Sequence, residues 1–253
     1  MPTRPPATRV PLDASPGSRL HLFLLAAFSV LLQLLPLLNA EYGYFRDELY
    51  YMACAKRLAF GYVDHPPLAP FVLRLVLITL GGSVLAIRLL PALAGAATVF
   101  LTGSIARRLG GGTFAQSLAA LAMAVAPGFL IFCGFYSMNP FESLLWTGCV
   151  YVIVRILQQD EPQLWTLVGL LVGMGLLNKH TLIVYTLSLV LALMLTPARR
   201  HVLSRWFWLG GALAVLIVLP NVVWQVQNDL ALSLIHISEP TRLKTRSRMP
   251  SSA

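Results

Sequence analysis

Long apolar stretches recur along this chain of 253 residues, and few charged residues interrupt them. A bilayer core about 30 Å thick is crossed by about 20 apolar residues in an α-helix. The stretches are rich in Leu, Ala and Val with interspersed Gly, which favours helices over the alternating strands of an outer-membrane barrel. The sequence therefore predicts an all-α integral membrane protein, built as a polytopic helical bundle.

Composition supports the membrane interpretation and excludes other classes. Hydrophobic residues make up 57% of the chain and charged residues only 11%, whereas about a quarter of a soluble domain is charged. The net charge of +9 does not indicate nucleic-acid binding, because no basic run is interleaved with aromatic residues. The three cysteines form no CxxC pair, which argues against a disulfide framework or a zinc site.

About seven transmembrane helices are predicted from the lengths of the apolar stretches. They are placed at residues 20–39, 84–105, 114–132, 141–157, 164–177, 181–195 and 206–224. Residues 68–80 are apolar but too short to span, and are predicted to form an interfacial helix.

Three parts of the chain are distinguished by their composition. Residues 1–19 are rich in Pro, Ser and Arg and are expected to be a disordered cytoplasmic arm. Residues 20–231 are expected to form an N-terminal transmembrane module, with a functional outer loop at residues 40–67. Residues 232–242 and 247–253 translate two ends of a sequencing adapter, so residues 232–253 are expected to be non-native and the chain to be part of a longer protein.

The positions of the arginines predict the orientation of the bundle. One set of span ends carries Arg4, Arg9, Arg19, Arg107, Arg108, Arg155, Arg199, Arg200 and Arg205. Lys and Arg are enriched in cytoplasmic loops, so this side is predicted to be cytoplasmic. Loop 40–67 then faces outward, and its own Arg46, Lys56 and Arg57 are expected to pair with acids in the same loop.

Acidic residues concentrate in that outer loop, which contains Glu41, Asp47, Glu48 and Asp64. Asp47 and Glu48 lie near the start of a predicted amphipathic helix, and Asp64 precedes a rigid Pro66-Pro67 turn. Carboxylates held at a membrane surface can deprotonate a hydroxyl and bind a divalent cation. A solvated loop without a chemical role is the alternative for the same residues.

Further polar residues are predicted on the same side. His65, Lys179 and His180 add hydrogen-bond donors, and Lys179 could pair with a lipid phosphate or simply snorkel to the interface. Asn139 and Glu142 start the fourth span and could line the same cavity. For Glu142 the alternative is a favourable interaction with the helix dipole.

Four motifs occur in order along the chain and carry a family resemblance. They are Arg46-Asp47-Glu48, Asp64-His65-Pro66-Pro67-Leu68, Ser137-Met138-Asn139-Pro140-Phe141-Glu142 and Leu177-Asn178-Lys179-His180. In these the chain resembles the integral membrane glycosyltransferases of family 39, bacterial relatives of dolichyl-phosphate-mannose protein mannosyltransferases and of lipid A aminoarabinose transferase. The resemblance covers residues 20–229 and implies the GT-C fold, with interfacial helices in the first outer loop and a polyprenyl-phosphate sugar donor.

The resemblance also implies roles for individual residues. Asp47 would be the catalytic carboxylate that activates the acceptor hydroxyl, beside Glu48, with Asp64 as the second acid. The expected substrate-binding residues are Arg46, His65, Asn139, Lys179 and His180, and the expected ligands of a divalent metal cation are Asp64 and His180. His65 stands where relatives often carry Lys, and Asn139 where they often carry Asp, so the donor or acceptor is expected to differ within the family.

The implied enzyme is a hexosyl- or pentosyltransferase of the bacterial inner membrane, with a cytoplasmic N-terminus and an extracytoplasmic active site. Its expected partners are the polyprenyl-phosphate sugar donor, a hydroxyl acceptor on a lipid, glycan or protein, and membrane lipid, without nucleic acid. The main alternative is a transporter or lipid flippase, and a further one is a non-catalytic assembly subunit. Transporters usually place ionisable residues near the midplane of their spans, whereas these spans are almost free of charge, which favours the enzyme.

Overall fold

The computed structural model describes residues 19–38 and 43–228, and all regular secondary structure in these ranges is helical. The predicted all-α membrane bundle is therefore confirmed. Most of the predicted arm, Glu41 and the adapter-like residues 232–253 lie outside the described ranges. The α-helices are α1 (Leu20–Leu34), α2 (Arg46–Lys56), α3 (Leu68–Thr79), α4 (Val84–Arg108), α5 (Thr113–Val125), α6 (Pro127–Cys133), α7 (Asn139–Gln159), α8 (Trp165–Asn178), α9 (Leu182–Leu195) and α10 (Arg205–Gln227). Short 3-10 helices add Leu35–Leu38, Pro162–Leu164 and Pro197–Leu203.

The candidate membrane spans follow the predicted apolar stretches, with differences in length and straightness. Four spans are long and apolar enough to cross a bilayer: Leu20–Leu37, Val84–Arg108, Asn139–Gln159 and Arg205–Gln227. Two further stretches are bent pairs of helices, α5 with α6 at 61° and α9 with Pro197–Leu203 at 115°. The fifth predicted span, at residues 164–177, corresponds to the shorter apolar helix Pro162–Asn178, so the described residues contain four to six full-length candidates.

Local sequence explains where several helices begin and end. Ser83 caps α4 by accepting a hydrogen bond from the Ala86 amide, and Ser204 does the same for α10 through the Trp206 amide. Such caps satisfy amides that have no partner inside the helix. Asp160 ends α7 in the left-handed region at φ 53°, and Pro127 begins α6 directly after the break that bends it from α5.

Three clusters of buried side chains hold the bundle together. One joins α1, α4, α5 and α6, a second joins α2, α3 and α4 to Tyr136, and a third joins α7, α8, α9 and α10. Helices α8 and α10 pack with their backbones in contact. A Cβ on Gly169 would overlap the carbonyl oxygen of Gly210, so this contact requires glycine at position 169. Close approach through small residues is a common way for helices to associate in a membrane.

The helix ends gather in two groups, and polar contacts define each group. At the first-loop end, α2, α3 and the loops before them meet the first turns of α4 and α7, the turn at 178–181 and the last turns of α10. At the arginine end, the end of α4 meets α7, the end of α7 meets the 3-10 helix Pro197–Leu203, and α5 bonds to the turn before it. Trp165 at the start of α8 also packs against Phe207 of α10. The two ends differ in how their charges are placed.

Candidate active site

Glu48 is the most enclosed charged residue at the first-loop end, with a side chain that is 0% exposed. Arg88 of α4 clamps its carboxylate through Nε at 2.8 Å and a terminal nitrogen at 2.9 Å. The amides of Phe45 and Tyr136 donate to the same carboxylate at 2.8 and 3.0 Å. Because these four donors occupy both oxygens of the buried carboxylate, Glu48 is not available to accept a proton from a substrate. Its position supports a structural role instead of the predicted catalytic one.

Asp47 contrasts with the residue that follows it. Its side chain is 40% exposed, and its one polar contact among the described residues is at 3.4 Å to its neighbour Arg46, which is itself 90% exposed. Asp47 lies in the first turn of α2, where a carboxylate interacts favourably with the helix dipole. The Glu48 contacts fix the backbone of that turn, so the Asp47 carboxylate is held in place and remains open to solvent.

Asp64 lies at the same end and is half exposed, at 53%. The Tyr50 hydroxyl donates to its Oδ1 at 2.5 Å. Burial, together with this hydrogen bond to Asp64, raises the pKa of the Tyr50 phenol, so the phenol stays protonated as a donor. Tyr50 thereby links Asp64 to α2, one turn after Asp47.

His65 was expected to bind substrate, but its side chain is only 2% exposed. Its ring stacks on Tyr51 with a centroid distance of 4.7 Å and lies near Tyr50 and Tyr62. Nδ1 is 2.9 Å from the carbonyl oxygen of Pro66, which can only accept, so Nδ1 carries the proton. Burial lowers the pKa of His65, and the neutral ring positions the turn that carries Asp64 without reaching a substrate.

Lys179 is brought to the start of α7. Its Nζ lies 2.9 Å from the carboxylate of Glu142 and 3.3 Å from the amide oxygen of Asn139. Thr181 also donates to Glu142, and Asn178 donates to the Met138 carbonyl at 2.8 Å. Lys179 is 31% exposed and has three N–H donors, so one N–H remains for a ligand.

His180 is tied to α10 instead of to the acids. Asn221 is 0% exposed and donates through Nδ2 to the Phe60 carbonyl at 2.7 Å. Its Oδ1 must therefore face His180 Nε2 at 3.1 Å, and since that oxygen only accepts, Nε2 carries a proton. This bridge joins the turn at 178–181 and the first loop to α10, where Gly61 also packs against the Trp224 ring.

The expected metal pair, Asp64 and His180, gains no further ligand in this arrangement. The described ranges contain no group of three or more His, Cys, Asp or Glu side chains that could hold one ion. A zinc or calcium site in a protein usually needs at least three such ligands. With His180 Nε2 donating to Asn221 and Asp64 bonded to Tyr50, these two residues do not by themselves form a metal site, and the divalent cation stays a prediction.

Of the three cations of the outer loop, Arg46 contacts Asp47 of the same loop as expected, at 3.4 Å. Lys56 and Arg57 are exposed and form no ion pair within the part of the chain that the structure describes. Glu48, the most buried acid of the loop among the described residues, instead pairs with Arg88 of α4. A local sequence pattern could not identify that partner, because it lies forty residues away.

Sequence reasoning missed Arg88, Tyr136 and Asn221 as parts of this site. Arg88 had a usable signal, because an arginine inside an apolar span is normally paired with an acid or faces a cavity. Tyr136 contributes its backbone amide to Glu48 and donates its hydroxyl to the Ala69 carbonyl at 2.7 Å. No pattern in the sequence shows that a backbone amide has this role.

Comparisons with known proteins agree with the resemblance drawn from the motifs. The family described as dolichyl-phosphate-mannose-protein mannosyltransferase matches residues 64–224, which include His65, Asn139, Lys179 and Asn221 but not Asp47. The lipid A galacturonosyltransferase RgtD of Rhizobium johnstonii (strain DSM 114642 / LMG 32736 / 3841) is 27% identical over 188 residues, which are 74% of this chain and 39% of that protein. The chain thus spans about two fifths of the length of this relative. No solved structure matches the chain.

Proposed function

This chain belongs to the dolichyl-phosphate-mannose-protein mannosyltransferase family, and from that premise we propose that it is a membrane glycosyltransferase whose chemistry takes place at the first-loop end. The name of the family and the name of its relative both describe sugar transfer. The proposed donor is a sugar linked to a polyprenyl phosphate, and the proposed acceptor is a hydroxyl of a lipid, glycan or protein.

The observation that carries the proposal is the difference between two neighbouring carboxylates. Glu48 is 0% exposed and holds four donors, whereas Asp47 is 40% exposed and holds one weak contact. Only Asp47 of this pair can accept a proton from a bound hydroxyl. An exposed carboxylate on a rigidly anchored helix turn is what a general base at a membrane surface requires.

The proposed reaction uses residues that the fold already holds at this end. Asp47 removes the proton of the acceptor hydroxyl as its oxygen attacks the anomeric carbon of the sugar. The bond from that carbon to the phosphate oxygen breaks on the opposite face, so the configuration inverts and the polyprenyl phosphate leaves with the electron pair. The remaining N–H of Lys179 and the exposed guanidinium of Arg46 are the proposed donors to the leaving phosphate.

The distribution of charge favours this function over transport. Arg88, the ionisable group buried in α4, is used by Glu48 at the first-loop end, and a transporter usually places such groups at mid-depth of the membrane. The arginine-rich opposite end supports a cytoplasmic placement for that end. The proposed active site then lies outside the cytoplasm, at the surface of a bacterial inner membrane.

The test is sugar transfer in membranes from cells that produce the chain. Two radiolabelled polyprenyl-phosphate donors are supplied, one with galacturonic acid and one with mannose, the sugars named by the relative and by the family. Lipid A and membrane protein are the acceptors examined. Asp47→Asn is expected to lower the transfer rate by about 10²-fold or more, the size typical of a general base.

The matched control is Glu161→Gln, which removes one carboxylate at the arginine end. Asp47→Asn is expected to leave the thermal unfolding temperature nearly unchanged, because the side chain is half exposed and weakly bonded. Full transfer by the Asp47→Asn variant, or no transfer by the unaltered chain with either donor, would contradict the proposal.

A further inference from the structure

A cavity at the arginine end lies outside everything the proposed reaction uses. It has a volume of about 290 Å³ and lies between the last turns of α7 and the 3-10 helix Pro197–Leu203. It is lined by Leu157, Pro197, Ala198, Arg200 and His201. Its wall therefore combines an apolar surface with a guanidinium and an imidazole.

His201 places a nearly buried imidazole in the wall of this cavity. The residue is 3% exposed and lines the cavity, yet its ring nitrogens form no hydrogen bond within residues 19–38 and 43–228. The neighbouring Trp165, whose ring centroid lies 6.0 Å from that of His201, has a buried Nε1 that is also without a partner. A buried donor such as the Trp165 Nε1–H normally has a partner, because it has lost the water that would otherwise bind it.

Arg200 supplies the charge. One of its terminal nitrogens lies 3.2 Å from Asp160 Oδ1, and both side chains are about two-thirds exposed. The other guanidinium nitrogens have no partner among the described residues. A guanidinium has five N–H donors in a planar fork that suits phosphate oxygens, so Asp160 leaves most of this fork open.

We propose that this cavity binds the phosphate of an anionic phospholipid at the membrane surface. Arg200 and the N–H of His201 would hold the phosphate, and Leu157, Pro197 and Ala198 would contact the adjoining carbon atoms. The cavity lies at the lower edge of the size range of small-molecule pockets, about 300–1,000 Å³, so it fits a headgroup and not the acyl chains. The exposed Arg199 and Arg205 nearby favour an anionic headgroup over a zwitterionic one.

The experiment measures how lipid stabilises the purified chain in detergent. Phosphatidylglycerol is titrated while thermal unfolding is followed, with phosphatidylcholine and inorganic phosphate as separate arms. Phosphatidylglycerol is expected to raise the unfolding temperature, with little effect of the other two. Arg200→Gln is expected to raise the half-saturating lipid concentration about tenfold, the effect of losing one charge-assisted contact.

Arg199→Gln is the matched control, because it removes the same charge from the next residue, which is exposed and does not line the cavity. It is expected to change the half-saturating concentration by less than about twofold. Arg200→Lys keeps the charge but loses the planar set of N–H donors. Its half-saturating concentration is expected to lie between those of Arg199→Gln and Arg200→Gln. His201→Phe tests the imidazole, and His201→Gln replaces it if the Phe variant does not fold.

Three results would overturn the proposal. If Arg199→Gln and Arg200→Gln raised the half-saturating phosphatidylglycerol concentration equally, the effect would be a general attraction between the basic surface and the lipid. Equal stabilisation by phosphatidylcholine would show that the cavity does not select an anionic headgroup. Stabilisation by inorganic phosphate alone would assign the site to a soluble anion.

Discussion

Ion pairs occur at both ends of the bundle, but they differ in burial and in what they connect. At the first-loop end, the Arg88–Glu48 pair has side chains that are 9% and 0% exposed, and it joins a span to a loop helix. At the arginine end, the Arg155–Glu161 pair is 39% and 36% exposed and joins residues close in sequence. The buried pair fixes tertiary structure, whereas the exposed pair leaves its charges available to water and lipid.

This difference indicates how the two ends divide their tasks. A buried charge must be paired and hydrogen-bonded, so Glu48 with its four donors holds one geometry. The rigid turn that results presents Asp47 in a constant position. Exposed arginines need no fixed partner, and at the opposite end they can set orientation in the membrane.

The largest expected effect comes from breaking the buried pair. Glu48→Gln leaves the Arg88 charge buried without its counterion, and is expected to destabilise the fold by about 3–5 kcal/mol. Thermal unfolding in detergent measures the loss, and the amount of monodisperse protein on size exclusion provides a second readout. Unfolding at the same temperature as the unaltered chain would show that the pair does not hold this end together.

A charge reversal sharpens the same prediction. Exchanging the partners with Glu48→Arg and Arg88→Glu restores opposite charges, but the Phe45 and Tyr136 amides would then face a guanidinium. The double variant is therefore expected to remain destabilised. A full recovery would mean that charge alone matters and that the backbone donors contribute little.

An intermediate effect is expected at the bridge between α10 and the first loop. Asn221→Leu leaves the Phe60 carbonyl and the His180 Nε2–H without partners, at a cost of about 1–3 kcal/mol. Hydrogen exchange at residues 58–62 is expected to become faster, because the loop loses its contact with the span. Asn228→Leu is the control, since Asn228 is exposed and bonds within its own helix; equal effects of the two variants would contradict the bridge.

The smallest effect is expected at the arginine end. Glu161→Gln removes the exposed pair with Arg155, and is expected to change stability by less than about 1 kcal/mol. The difference should shrink further at high salt, which screens exposed charges. Thermal unfolding at low and high ionic strength measures both, and a loss as large as that of Glu48→Gln would remove the contrast between the ends.

The predicted helices agree well with the structure, because hydrophobic length is read from local sequence. The interfacial helix predicted at residues 68–80 is α3, and the span predicted at 84–105 is α4. The bends were not predicted. Pro127 lies inside the span predicted at 114–132, and a proline in an apolar run does not show by itself whether the helix kinks there or ends. Residues 181–195 likewise continue into a sharply bent 3-10 helix.

The candidate site was predictable in its location but not in its roles. The motifs placed Asp47, Asp64, Asn139 and Lys179 at one end, and the structure brings Lys179 to Asn139. The roles of Glu48 and His65 depended on burial, which adjacent letters do not specify. Glu48 and Asp47 are neighbours of the same chemical type, yet they point to different surroundings because successive helix positions are about 100° apart.

The sequence by itself determined that this chain is a helical membrane protein of a known family, because apolar runs in lipid must satisfy their backbone hydrogen bonds within each segment. Tertiary structure alone decided which polar groups meet: Glu48 with Arg88, Lys179 with Glu142, and Asn221 with Phe60. These partners are 37 to 161 residues apart. Such contacts depend on how whole helices pack, and no local pattern encodes that packing.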